Sequence, residues 1–256
     1  MSSLVALTNL VLGTAYCGYG VMTAVEMRRD WRTHGFTHFG MAWLLMAFTC
    51  GPHHLVHGVH VLFEGRHGGV LDLYSVVIGL PAGVTWLALR VEAFAGGRGD
   101  RFISGDPRWL RALPAAAALY AGSLVIGMAA TLGGSLHPTP LVVPNLFLVV
   151  IYLTISWFVL RTQLRNHPQL GGWSLSGLSL AVIFATCALM HAVWAVYTAT
   201  GAYTFDIHGL VIDWLSLPAG LYFLSVVRGL YRDAIHDWNT VTVDADPLPS
   251  HALHGG

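Results

Sequence analysis

The sequence contains no lysine, and all 13 of its basic residues are arginine. A retinal Schiff base, which requires a lysine amine, is therefore excluded. Charged residues make up only 10% of the chain and the formal net charge is zero, so there is no basic surface for nucleic acid. The three cysteines, Cys17, Cys50 and Cys187, all lie in apolar segments, which indicates packed thiols or soft ligands rather than a disulfide framework.

Hydrophobic residues, in contrast, make up 55% of the chain and recur in long runs. Runs of about 20 residues can cross a bilayer core of about 30 Å. They predict an all-α membrane protein of the inner or plasma membrane whose single domain, residues 1–236, has seven transmembrane helices. Residues 237–256 are polar and contain proline, and we expect a flexible cytoplasmic tail there. The seven predicted spans are Leu4–Met27, Phe36–Phe63, Val70–Phe94, Leu113–Gly133, Leu141–Leu160, Trp173–Thr200 and Ile207–Tyr231.

The arginines predict the orientation of these helices. They cluster after the first, third, fifth and seventh spans, whereas the opposite connections carry few charges. Because cytoplasmic connections are enriched in arginine, we expect the amino terminus outside and the carboxyl terminus in the cytoplasm.

Two parts of the sequence resemble each other. The segment TNLVLGTAY at 8–16 matches PNLFLVVIY at 144–152, and LPAG at 80–83 recurs at 217–220. Between these segments Thr49-Cys50 matches Thr186-Cys187, and His54 matches His191. We predict two three-helix repeats, about 4–94 and 141–231, joined by a connector helix at about 113–133. The connector restores the direction of the chain, so the two copies would be parallel.

Histidines are concentrated in the second predicted span, where residues 50–67 read CGPHHLVHGVHVLFEGRH. Ionisable side chains within a bilayer rarely face lipid, so this cluster predicts an interior polar site. On a helical wheel His53, His57 and His60 lie within roughly 60° of one another, while His54 lies about 100° away. Spacings of three and four residues allow two imidazoles of one helix to hold one ion.

Two models of the site follow. In the first, imidazoles and carboxylates bind copper, zinc or iron, and further side chains orient the ligands or relay protons. The candidate ligands are His53, His57, His60, His191, His208, Asp72 and Asp213, and the candidate supporting residues are Glu64, Cys50, Met190 and Tyr197. In the second model, the equivalent residues His54 and His191 are the axial ligands of a b-type haem. An interior hydrogen-bond network or a proton pathway is the third interpretation.

The metal model predicts an oxidoreductase or hydrolase acting on a lipid-phase substrate, or a transporter of the metal ion. The haem model predicts electron transfer. The layout of three helices, a connector and three more is similar to that of small SWEET-type sugar transporters, although their proline-glutamine motif is not evident. That resemblance implies a solute path between the repeats, lined by Asn9, Asn145, Tyr16 and Tyr152. Interhelical hydrogen bonding is the simpler role for those four residues, and we favour it.

Overall fold

The computed structural model describes residues 1–64, 69–104, 108–132, 140, 142–200 and 207–232. These residues are mainly helical, with one small sheet. The helices are α1 (Ser2–His34), α2 (His38–Glu64), α3 (Val70–Val77), α4 (Leu80–Phe94), α5 (Arg108–Arg111), α6 (Leu113–Leu132), α7 (Val143–Leu170), α8 (Leu175–Ala199) and α9 (Ile207–Tyr231), and the strands are β1 (Phe102–Ser104) and β2 (Gly172–Ser174). The predicted tail, 237–256, lies outside the described residues.

Among the described residues, five segments are long and apolar enough to cross a membrane. They are Ser2–Thr33, Val70–Phe94, Val143–Leu170, Leu175–Ala199 and Val211–Tyr231. The length and composition of these helices confirm the prediction of a multi-pass, all-α membrane protein. Helix α2 is also long, with 27 residues, but its histidines lower its mean hydropathy, so it is not among these five segments.

The predicted third span is interrupted in the structure, because α3 ends at Val77 and α4 begins at Leu80. Pro81 lies in the first turn of α4, where its missing N–H costs no helical hydrogen bond. At the break, Gly79 packs closely on α8: a β-carbon there would lie 2.8 Å from the Thr186 hydroxyl oxygen. The absence of a side chain at Gly79 therefore allows the chain to lie close to α8 at this break.

A short sheet, absent from the sequence prediction, joins the two halves of the chain at one end of the bundle. Strand β1 pairs antiparallel with β2, so that Phe102 lies opposite Ser174. Just before β1, the carboxylate of Asp100 accepts hydrogen bonds from the Ser174 hydroxyl at 2.6 Å and the Ser176 amide at 2.9 Å. Asp100 thus anchors the beginning of α8.

Helices α2 and α8 occupy corresponding places in the packing. Helix α1 packs along α2, and α7 packs along α8. Helix α2 then contacts α9, while α8 contacts α3 and α4. Helix α6 packs on α7 and α8. The buried core is consequently centred on α2 and α8, the two helices that carry the matched residues His54 and His191.

Candidate metal centre

Six of the predicted site residues are buried together in the bundle interior. Each of these six residues is at most 3% exposed. They come from α2, α3, α8 and α9, and they are His53, His54, His57, Asp72, His191 and Asp213. The interior polar site predicted from the histidine cluster is therefore present as a group of buried imidazoles and carboxylates.

His54 has a defined tautomer because of its contact with Asn9. The Asn9 amide nitrogen donates to the Val5 carbonyl at 2.9 Å, which orients the amide oxygen toward His54. That oxygen lies 2.8 Å from His54 Nδ1. Since an amide oxygen only accepts, Nδ1 carries the proton and Nε2 keeps its lone pair. Among the described residues, His54 Nε2 has no hydrogen-bond partner.

His191 is held in the same way by Asn145. The amide nitrogen of Asn145 donates to Asp213 Oδ2 at 2.6 Å, and its oxygen lies 2.5 Å from His191 Nδ1. The carboxylate can only accept from this amide, so the orientation of Asn145 is fixed and His191 Nδ1 must donate. His191 therefore also keeps a lone pair on Nε2.

Two carboxylates pair with histidines of α2. His57 Nε2 lies 3.1 and 3.3 Å from the two oxygens of Asp72 on α3. His53 Nδ1 lies 3.2 Å from Asp213 Oδ1 on α9, an ion-pair distance without hydrogen-bond geometry. Asp213 thus stands between His53 and Asn145, which links α2, α9, α7 and α8 in one buried polar chain.

An indole ring fills the space between these groups. The ring of His53 stacks on Trp194 with 4.0 Å between ring centres. Trp194 also meets the ring of His191 edge-on at 5.2 Å, and His53 and His191 are 5.8 Å apart. Trp194 therefore fixes the orientation of His53 relative to His191.

Small residues allow α1 and α2 to approach closely enough for the contact between Asn9 and His54. A β-carbon added at Gly51 would lie 2.7 Å from the sulfur and 3.0 Å from the backbone nitrogen of Cys17. Gly13 is equally close to α2, where an added β-carbon would lie 2.8 Å from the Leu55 nitrogen. Such seams of small residues are a common basis of helix packing in membranes.

The remaining predicted residues lie around this group. Cys50 and Met190 are buried, Tyr197 is half-buried beside Asp72, and His60 is half-buried two turns beyond His53. The side chains of His208 and Glu64 lie outside the described part of the structure. Across the described residues, no three side chains among His, Cys, Asp and Glu are grouped closely enough to hold an ion as they stand.

Three residues of this centre were missing from the predicted site: Asn9, Asn145 and Trp194. The two asparagines did carry a signal, because the internal match pairs Asn9 with Asn145 just as it pairs His54 with His191. An asparagine at the equivalent place in two matched segments indicates that each contacts the equivalent residue of its own repeat. Trp194 lies on the same helix face as Met190 and Tyr197, but an indole there is more often ordinary core packing, so it was not predicted as a site residue. Comparison of the chain with known protein families, with curated proteins and with solved structures finds no match.

Proposed function

We propose that this is a seven-helix membrane protein that binds one transition-metal ion through the Nε2 atoms of His54 and His191, with His53 as a further ligand. The observation that carries the proposal is the fixed tautomer of His54 and His191. Ligand histidines typically donate their other ring N–H to an oxygen, which orients the ring and raises its basicity. Asn9 and Asn145 supply those oxygens here.

The position of His53 supports its inclusion. Two imidazoles on one tetrahedral ion, with metal–nitrogen bonds of about 2.0 Å, have ring centres about 5 Å apart. The rings of His53 and His191 are 5.8 Å apart, which is close to this separation. The carboxylate of Asp213 lies beside His53, in the place where a carboxylate commonly supports a ligand histidine.

The proposed architecture is two parallel three-helix repeats joined by α6, with the amino terminus outside. Equivalent contacts in the two halves support it. The Asn9–His54 contact has its counterpart in Asn145–His191. Tyr16 meets His54 at 5.4 Å and 70°, and Tyr152 meets His191 at 5.3 Å and 67°. With α2 and the 20-residue α6 added to the five apolar spans, the count becomes seven.

The burial of the site favours transport of an ion over catalysis on a lipid-phase substrate. A catalytic metal needs an open coordination position that substrate can reach. The apolar cavity that suits such a substrate, about 580 Å³, is bounded by α6, α7 and α8, and none of its described lining residues is a histidine. An ion enclosed at the interface between two repeats is instead the usual arrangement of a transporter.

The surroundings of His191 also favour an ion over haem. A b-type haem would need a flat slot between His54 and His191. Trp194 lies against His191, and His53 stacks on that indole. These two rings would have to leave before a porphyrin could reach His191.

The test is elemental analysis and absorption spectroscopy of the purified full-length protein. We expect copper, zinc or iron at about one ion per chain. His54→Gln and His191→Gln should each lose it. His38→Gln is the matched control, because His38 is exposed and pairs with Tyr222 away from the site. Equal size-exclusion profiles would exclude misfolding as the cause of the loss.

Two results would contradict the proposal. An intense Soret band would establish haem. Equal metal content in His38→Gln and His54→Gln would show that His54 does not bind the ion. Transport is tested separately by metal uptake into liposomes that contain the protein. Uptake abolished by His191→Gln would support transport, whereas bound metal without uptake would favour catalysis.

A further inference from the structure

A second group of potential ligands lies one helical turn from the histidines. Cys50 precedes His53 on α2, and Cys187 precedes His191 on α8. Both thiols line an internal cavity of about 20 Å³, enough for a single water-sized particle. The thioether side chain of Met46 lines the same cavity. Its other walls are aromatic and aliphatic side chains, which cannot replace the hydration shell of a hard cation.

The two thiols are neighbours and each has a tyrosine hydroxyl beside it. Cys50 on α2 and Cys187 on α8 line the same small cavity. Tyr152 Oη lies 3.4 Å from the sulfur of Cys50, and Tyr16 Oη lies 3.8 Å from the sulfur of Cys187. Each tyrosine therefore belongs to the opposite half of the chain from the cysteine that it contacts.

We propose that Cys50 and Cys187 together bind one monovalent copper ion. Soft thiolate and thioether ligands suit Cu(I) and zinc, but zinc takes four ligands, and two thiols beside a cavity for one particle fit the lower coordination number of Cu(I). Binding breaks two S–H bonds and forms two S–Cu bonds, two protons leave, and no atom changes oxidation state. The resulting complex carries one negative charge in a buried place. The hydroxyls of Tyr16 and Tyr152 stabilise that charge, since a thiolate can only accept the hydrogen bonds that they donate.

This site is separate from the histidine centre, and the proposal does not depend on it. The thiol cavity includes no histidine among its described lining residues. Thiolate-to-copper charge transfer gives an ultraviolet absorption that imidazole ligands alone do not give. Copper bound by sulfur and metal bound by nitrogen can therefore be measured independently in one preparation.

The experiment is anaerobic titration of the reduced full-length protein with Cu(I) in competition with bicinchoninate. We expect one ion per chain with the ultraviolet band. Cys50→Ser and Cys187→Ser should each lose the band and lower affinity more than about 100-fold, since even outer-shell changes can cost 10- to 100-fold. Cys17→Ser is the matched control, because Cys17 is the third thiol and does not line the cavity.

Tyr152→Phe tests the stabilisation of the charged complex while keeping the shape of the cavity. Loss of one hydrogen bond to a charged sulfur should lower Cu(I) affinity by about tenfold or more. His54→Gln should leave the ultraviolet band unchanged, so failure of the histidine centre and failure of this site are distinguishable. An unchanged band in Cys187→Ser, or an equal loss in Cys17→Ser, would overturn the proposal.

Discussion

Replacement of Asn145 by leucine should destabilise the protein far more than the same replacement of Asn9. Leucine has the same branched arrangement of side-chain heavy atoms as asparagine, and the extra volume of its methyl groups is the same in both variants. Asn145→Leu removes the donor to the Asp213 carboxylate and the acceptor for His191 Nδ1. Asn9→Leu removes the acceptor for His54 and a donor to the Val5 carbonyl.

The expected difference arises from the buried carboxylate. A hydrogen bond to a charged group contributes about 1.5–3 kcal/mol and a neutral one about 0.5–1.5 kcal/mol, with smaller values common in membrane bundles. Asn145→Leu loses one bond of each kind, so we expect a cost of about 3 kcal/mol. Asn9→Leu loses only neutral bonds, and the Val5 carbonyl sits within α1, where a helical N–H can also reach it, so about 1 kcal/mol is expected.

The assay is thermal unfolding of the detergent-purified variants, followed by loss of the monodisperse size-exclusion peak. At about 2–4 °C per kcal/mol for a chain of this size, Asn145→Leu should lower the melting temperature by about 6–12 °C and Asn9→Leu by about 2–4 °C. Adding Asp213→Asn to Asn145→Leu should recover part of the loss, because the unpaired charge is then gone. Equal losses for the two single variants would refute the assignment of a charged carboxylate to this contact.

Two further predictions concern the scaffold. Gly51→Ala should lower the unfolding free energy by about 1–3 kcal/mol in the same thermal assay, because its β-carbon would overlap Cys17. Gly18→Ala should be neutral or stabilising, because no atom of the described residues lies within 4 Å of the added carbon. Asp100→Ala should speed backbone hydrogen exchange at the start of α8, because the Ser174 hydroxyl and the Ser176 amide lose their acceptor. Unchanged exchange there would contradict the anchoring role of Asp100.

The sequence predicted an interior place for His53, His54 and His57 and named Asp72 and Asp213 as nearby carboxylates, but it did not predict which histidine pairs with which carboxylate. Apolar runs locate helices, and an ionisable group inside such a run must find an interior place. A helical wheel assigns His53 and His54 to different faces, but it contains no information about which neighbouring helix each face meets. The pairing of His53 with Asp213 depends on how α9 packs against α2, which is decided by the shapes of many side chains.

The repeated LPAG segments indicate a packing kink at Pro81 and at Pro218, but they do not predict which of the two helices breaks. Proline and glycine occur in many continuous membrane helices, because neighbouring groups can satisfy the freed backbone. The sequence around Pro81 is the same as that around Pro218, yet Pro81 begins a helix and Pro218 lies inside α9. The difference must come from the packing partners, and at Gly79 that partner is Thr186 on α8.

The two proposed sites differ in chemical character although they lie on the same pair of helices. His53 and His54 on α2 and His191 on α8 offer nitrogen ligands beside a carboxylate, whereas Cys50 and Cys187, about one turn away, offer sulfur. Nitrogen ligands suit divalent copper or zinc, and thiolates suit monovalent copper. If copper is the ion bound by both sites, its preferred position would therefore depend on its oxidation state. Zinc also binds thiolates but takes four ligands, whereas monovalent copper is satisfied by two sulfurs, so Cys50→Ser should lower the copper content and leave the zinc content unchanged.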